Sequence, residues 1–133
     1  MNASTPSLAG RVVYWIATGV VAALFVVPGV ANLVRVPHIA HDMAHLGYPD
    51  YFMSILGTWK LLAAIAILIP GFPRLKEWAY AGMIFDLTGA AISRAIVGDG
   101  TAPVLVPLCI ALVAVVSWVM RPPARILHVP VRT

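Results

Sequence analysis

Charge is scarce in this sequence. Only 11% of its 133 residues are Asp, Glu, Lys or Arg, against 61% hydrophobic residues. So little polar side chain cannot coat a water-soluble globule of this length, and the missing wet surface has to be surface that faces lipid. Cysteine is scarcer still. A single residue, Cys109, excludes an intramolecular disulfide and any cysteine-based metal cluster; it sits in an apolar run and reads as a small buried residue. No haem, flavin or iron–sulfur motif occurs, so no such cofactor is assigned. Internal repeats are also missing, which argues against bulk transport through paired inverted halves. The net charge of +4 gathers into no basic patch interleaved with aromatics, so nucleic acid is not an expected partner. The lipid bilayer is.

Four apolar stretches stand out, at 12–34, 51–69, 78–97 and 102–120. Each is about 28 to 35 Å long as a helix, enough to cross a hydrocarbon core of about 30 Å. The first exceeds the apolar core of a signal peptide and lacks a convincing small-residue cleavage site, so it is read as a retained span. Arg11, Arg74, Lys76, Arg121, Arg125 and Arg132 fall on one side of the four spans; Arg35 and, near a helix end, Arg94 fall on the other. That asymmetry predicts both termini on the cytoplasmic side. Short turns at Pro70–Pro73 and Gly98–Thr101 favour antiparallel neighbours. The expected fold is a single all-α membrane domain, a four-transmembrane-helix up-down bundle.

Two charges lie where they are expensive. Lys60 and Asp86 fall near the middles of the second and third spans, each about 12 to 14 Å from its own helix start. The starts face opposite sides, so the two depths nearly coincide. An unpaired charge at the bilayer centre costs about 3 kcal/mol on insertion scales, which predicts a buried Lys60–Asp86 pair. Such a pair serves either as a strut fixing helix rotation or as a ligand or proton site. Gly82, Gly89 and Ser93 share a small-residue face with Asp86, and Gly57 lies one turn from Lys60, while Trp59 is expected to point elsewhere. Small residues of this kind either let a second helix approach closely or leave room for a bound molecule. Asn32, near the end of the first span, offers a further polar contact.

The connection from Arg35 to Asp50 carries an amphipathic pattern over residues 37–46, with His38, His41, Asp42 and His45 on one arc and Ile39, Met43 and Leu46 opposite. It predicts an interfacial helix between the first two spans. A wet polar face is the simpler use of these histidines than a metal site, because ligation needs convergent geometry that spacing does not establish. They are also candidates for a proton relay at the outer mouth.

The order of these features resembles the DoxX-like family of small four-helix bacterial membrane proteins. The resemblance rests on Leu46-Gly47-Tyr48-Pro49, on Leu56-Gly57-Thr58-Trp59-Lys60-Leu61-Leu62, on Pro70-Gly71-Phe72-Pro73-Arg74-Leu75-Lys76-Glu77-Trp78-Ala79-Tyr80-Ala81-Gly82, and on Phe85-Asp86-Leu87-Thr88-Gly89-Ala90-Ala91-Ile92-Ser93. In the family the residue after that serine is commonly His; here it is Arg94, which cannot exchange a proton. The resemblance implies a bacterial cytoplasmic membrane and, through the wider DoxX group, an association with quinones and redox enzymes.

Three functions follow as expectations. Lys60 and Asp86 would polarise or protonate the oxygen of a quinone-like lipophilic molecule, with electrons arriving through a redox partner. Alternatively, the same two residues would isomerise or cyclise an apolar substrate by acid–base chemistry without a cofactor. In the third reading the chain is a non-enzymatic accessory, in which the pair only sets helix register and the helices assemble as a homo-oligomer.

Overall fold

A computed structural model describes residues 5–128, and among them every regular element is helical. Arg132, counted above for orientation, lies outside the described residues. Helix α1 spans Leu8–Leu33. It begins where the Ser7 hydroxyl accepts a hydrogen bond from the Gly10 amide at 3.0 Å, which satisfies one of the free donors at a helix start. Helix α2, Pro37–His45, opens with a proline at a position where a missing N–H is harmless. Helix α3 is Asp50–Leu68. It stops because Ile69 precedes Pro70 and is pushed into extended backbone, with ψ 148. Helix α4, Pro73–Val97, ends at Gly98 with φ +77. There the Asp99 amide reaches back to the Arg94 carbonyl at 3.1 Å, a left-handed glycine termination. Helix α5 is Thr101–Val119, and a short 3-10 turn follows at Pro123–Arg125.

Helices α1, α3, α4 and α5 are the four long and apolar enough to cross a membrane. They close into a ring in which α1 packs on α3, α3 on α4, α4 on α5 and α5 on α1. Every neighbour in that ring runs antiparallel, so the bundle has a terminus end and an opposite end capped by α2. Helices α1 and α4 start several residues before the apolar stretches do, because hydropathy marks the lipid-buried part of a helix whereas the hydrogen-bonded turns continue through polar residues such as Arg74, Lys76 and Glu77.

The core is narrow. Val21, Phe25, Ala64, Ile67, Met83 and Ala114 are buried at its centre, while large apolar side chains such as Val27, Phe85 and Ile96 face outward. In water such a surface would drive association; in a bilayer it is the solvated surface. Cys109 corrects its sequence reading: it is exposed on this outer surface, because α5 is apolar around its whole circumference and hydropathy does not show which side packs.

The terminus end is tied by polar contacts. The Thr18, Ser117 and Tyr80 hydroxyls form a buried chain, at 2.6 and 2.7 Å, linking α1, α5 and α4. The carbonyls of Ala66, Ile67 and Leu68 and of the capping residue Ile69 are left without backbone partners at the end of α3. Lys76, fully buried, donates to those of Ala66 and Ile69. Arg125 donates to those of Ile67, at 2.9 Å, and Leu68, at 3.3 Å. Cations therefore cover the negative end of the α3 dipole. Arg121 anchors the end of α5 to Glu77 on α4, at 2.6 Å.

Candidate functional site

The ring brings Lys60 and Asp86 face to face across the α3–α4 seam. Lys60 lies about 15 Å from the start of α3 and Asp86 about 17 Å from the end of α4, both measured from the α2 end, so they sit at one depth. Lys60 Nζ donates to both carboxylate oxygens of Asp86, at 2.8 and 3.1 Å. The Phe25 ring of α1 lies beneath the ammonium, with its centroid 5.7 Å from Nζ, a distance at which the ring quadrupole attracts a cation.

The pair is not sealed in. It borders a cavity of about 360 Å³ between α3 and α4 whose remaining walls are uncharged, among them Phe25, Ala63, Trp78, Gly82 and Met83. Trp59 lines the same cavity, contrary to the expectation that it points away. A residue 100° round a helix from its neighbour still reaches the same opening when its side chain is as large as an indole. Trp59 and Trp78 are 65% and 77% exposed, so the mouth of the cavity faces lipid rather than the centre of the bundle.

The other small residues fall into different settings. Gly82 borders the cavity, and a Cβ added there would meet nothing within 4 Å. Gly57 instead faces α1: a Cβ there would lie 2.7 Å from the Gly29 carbonyl oxygen, so this glycine permits close helix packing. Gly89 has open space beside it but does not border the cavity. Ser93 accepts or donates a 2.6 Å hydrogen bond with Tyr48, whose ring stacks on Phe52. Asn32 is 5% exposed, its amide oxygen has no hydrogen-bond partner among the described residues, and it does not line the cavity.

The α2 end holds a separate polar cluster. Arg94 donates to Asp42 on α2 at 2.8 Å and to Asp99, in the α4–α5 turn, at 2.9 Å. The His45 ring contacts the other oxygen of Asp99. His45 first and Arg94 second hold the Asp99 carboxyl below its ordinary value. Arg94 therefore takes a structural place, fastening α2 to the α4–α5 turn. His38 and His41 stand exposed, and no group of three or more metal-ligating side chains converges among the described residues. No hydrogen bond among those residues connects the cluster to Lys60 or Asp86.

Phe25, Leu75 and Met83 are cavity residues that the sequence did not single out. Nothing in the local sequence separates them from other apolar positions of their helices. They become visible only when the pairing of α3 with α4 over α1 is known.

Four antiparallel apolar helices around a charged pair at mid-depth define a small integral membrane protein with a lipid-facing pocket. The chain belongs to the DoxX-like family, whose profile matches residues 16–117, from the third turn of α1 almost to the end of α5. No curated protein and no solved structure matches the sequence.

Proposed function

We propose that this protein binds a lipophilic, oxygen-bearing molecule of the quinone type at Lys60 and Asp86, in a redox-associated role. The setting is a bacterial cytoplasmic membrane with both termini on the cytoplasmic side, the side that collects Arg74, Lys76, Arg121 and Arg125. The observation that carries the reading is a cavity with apolar walls and one ion pair. An ammonium has three donors. Two are taken by the Asp86 oxygens, which leaves one for a ligand carbonyl in surroundings of low dielectric, where such a bond is stronger than in water. Asp86 balances the ammonium in the absence of ligand, and its oxygens also accept a proton from a ligand hydroxyl. Electrons would come from a partner protein, since the chain carries no haem, flavin or iron–sulfur motif.

The test is binding of a decyl-substituted 1,4-benzoquinone to the purified protein in mild detergent, followed by quenching of tryptophan fluorescence and by mass spectrometry of copurified molecules. Saturable binding to the parent, weakened about tenfold or more in Lys60→Met through loss of a charged hydrogen bond, is the expected result. Absence of binding, or equal binding by the variant, overturns the proposal. Turnover of an apolar substrate without an electron acceptor, abolished in Asp86→Asn, would favour acid–base chemistry instead.

A further inference from the structure

The cavity beside the ion pair has a direction. Its charged residues, Lys60 and Asp86, lie toward its α2 side with only Leu56 a turn beyond, while Leu75 and Trp78 line it nearer the terminus end. From Asp86 to Leu75 along α4 is about 16 Å. Leu75 and Trp78 also line a second cavity, shared with Phe72, Arg74 and Leu127 at the terminus end. The two cavities share Leu75 and Trp78 and together mark a groove along α4 from mid-bilayer depth toward the terminus end. Trp59 and Trp78 border it on the lipid side, and at Gly82 its wall lacks a side chain.

This polarity is the reverse of what a phospholipid requires. A phospholipid entering from the surface would place its chain ends against the ammonium and carboxylate and its head at the shallow end. From this arrangement, and resting on the binding role proposed above, we infer that the ligand enters sideways from the lipid. It is a chain-bearing molecule, held with its oxygen-bearing end at Lys60 and Asp86 and its chain along the groove toward the terminus end. A molecule already dissolved near the bilayer centre meets this geometry without carrying its polar end through an interface. The chain leaves lipid and not water, so it gains no transfer free energy, and the apolar walls contribute through packing contacts along the chain surface they cover. Gly82 sets the width, because any side chain there projects into space that is open in the structure.

The experiment compares a decyl-substituted 1,4-benzoquinone with the same ring lacking the chain, in proteoliposomes, with affinities expressed per mole fraction in the membrane so that partitioning cancels. The chain-bearing probe should bind about threefold more tightly or better through its packing contacts with the groove. Gly82→Leu should remove that advantage, and a leucine in mid-helix is compatible with the fold. Equal affinity for the two probes, or a chain advantage that survives Gly82→Leu, overturns the inference.

Orientation has its own readout. Trp59 adjoins Lys60, whereas Trp78 lies about 12 Å closer to the terminus end than Asp86. In protein labelled with 5-fluorotryptophan, a nitroxide at the chain tip should broaden the fluorine resonance of Trp78 more than that of Trp59, and the opposite order overturns the inference. If neither probe binds, or Lys60→Met binds both as well as the parent does, the underlying binding role fails. If binding requires Lys60 but ignores both chain and Gly82, only the entry and orientation fail.

Discussion

The two ends of the bundle are held by charges used in opposite ways. At the terminus end, Lys76 and Arg125 donate to the unpaired carbonyls of Ala66 through Ile69, at and just past the end of α3. At the α2 end, Arg94, His45, Asp42 and Asp99 bond to one another through side chains that are partly wet. A carbonyl does not titrate and a buried one has no water to turn to. A part-buried ion pair that still reaches water can be replaced by hydration when it opens, and so contributes less. The terminus end is therefore the fixed base of the bundle and the α2 end its adjustable rim, with the Lys60–Asp86 pair between them.

The sharpest way to break this contrast is Lys76→Met. The substitution keeps the apolar stem and uncaps the Ala66 and Ile69 carbonyls, at an expected loss of about 3 kcal/mol, read from unfolding in mixed micelles. A loss no larger than that of Arg94→Ala would erase the distinction between base and rim. The midplane pair comes next. Lys60→Met leaves a carboxylate without its partner and should cost about 3 kcal/mol by the same measurement, whereas the double variant Lys60→Met with Asp86→Leu should return to within about 1 kcal/mol of the parent. A double variant as unstable as the single would mean that the pair holds the helices together rather than serving the cavity.

Arg94→Ala is expected to change global stability by less than about 1 kcal/mol, yet to raise hydrogen exchange across α2 while leaving α5 unchanged. The smallest effect concerns acid. The Asp99 carboxyl is held below its ordinary value in the folded state, so its share of the rim is complete above that ordinary value and disappears as pH falls through the lowered one. Exchange in α2 should therefore gain an Asp99 component only below about pH 4, and Asp99→Asn should remove this component. An acid response that persists in Asp99→Asn would place the titrating group elsewhere.

Much of the bundle could be read before any coordinates, because lipid demands long uninterrupted apolar helices and a mid-span charge demands a partner. Lys60 and Asp86 stood out on those grounds. Lys76 shows where that reasoning stops: at the edge of a span a lysine counts as an orientation signal, and nothing local shows that it also folds back, fully buried, onto the end of α3. The Thr18–Ser117–Tyr80 hydroxyl chain joins residues up to 99 positions apart, and no spacing rule links them. Gly57 and Gly82 look alike in sequence, but one is filled by a neighbouring backbone and the other is open. Hydropathy records how apolar a face is and not what stands opposite it.

The approach of α1 to α3 has a mechanical corollary. Where the space beside Gly57 is already occupied by the Gly29 carbonyl, the two helices have no slack to slide or separate, and they form one stiff plank. Any widening of the groove when a guest arrives must then be taken up by α4, swinging with α5 about the Gly71 turn, whose glycine sits at φ +74.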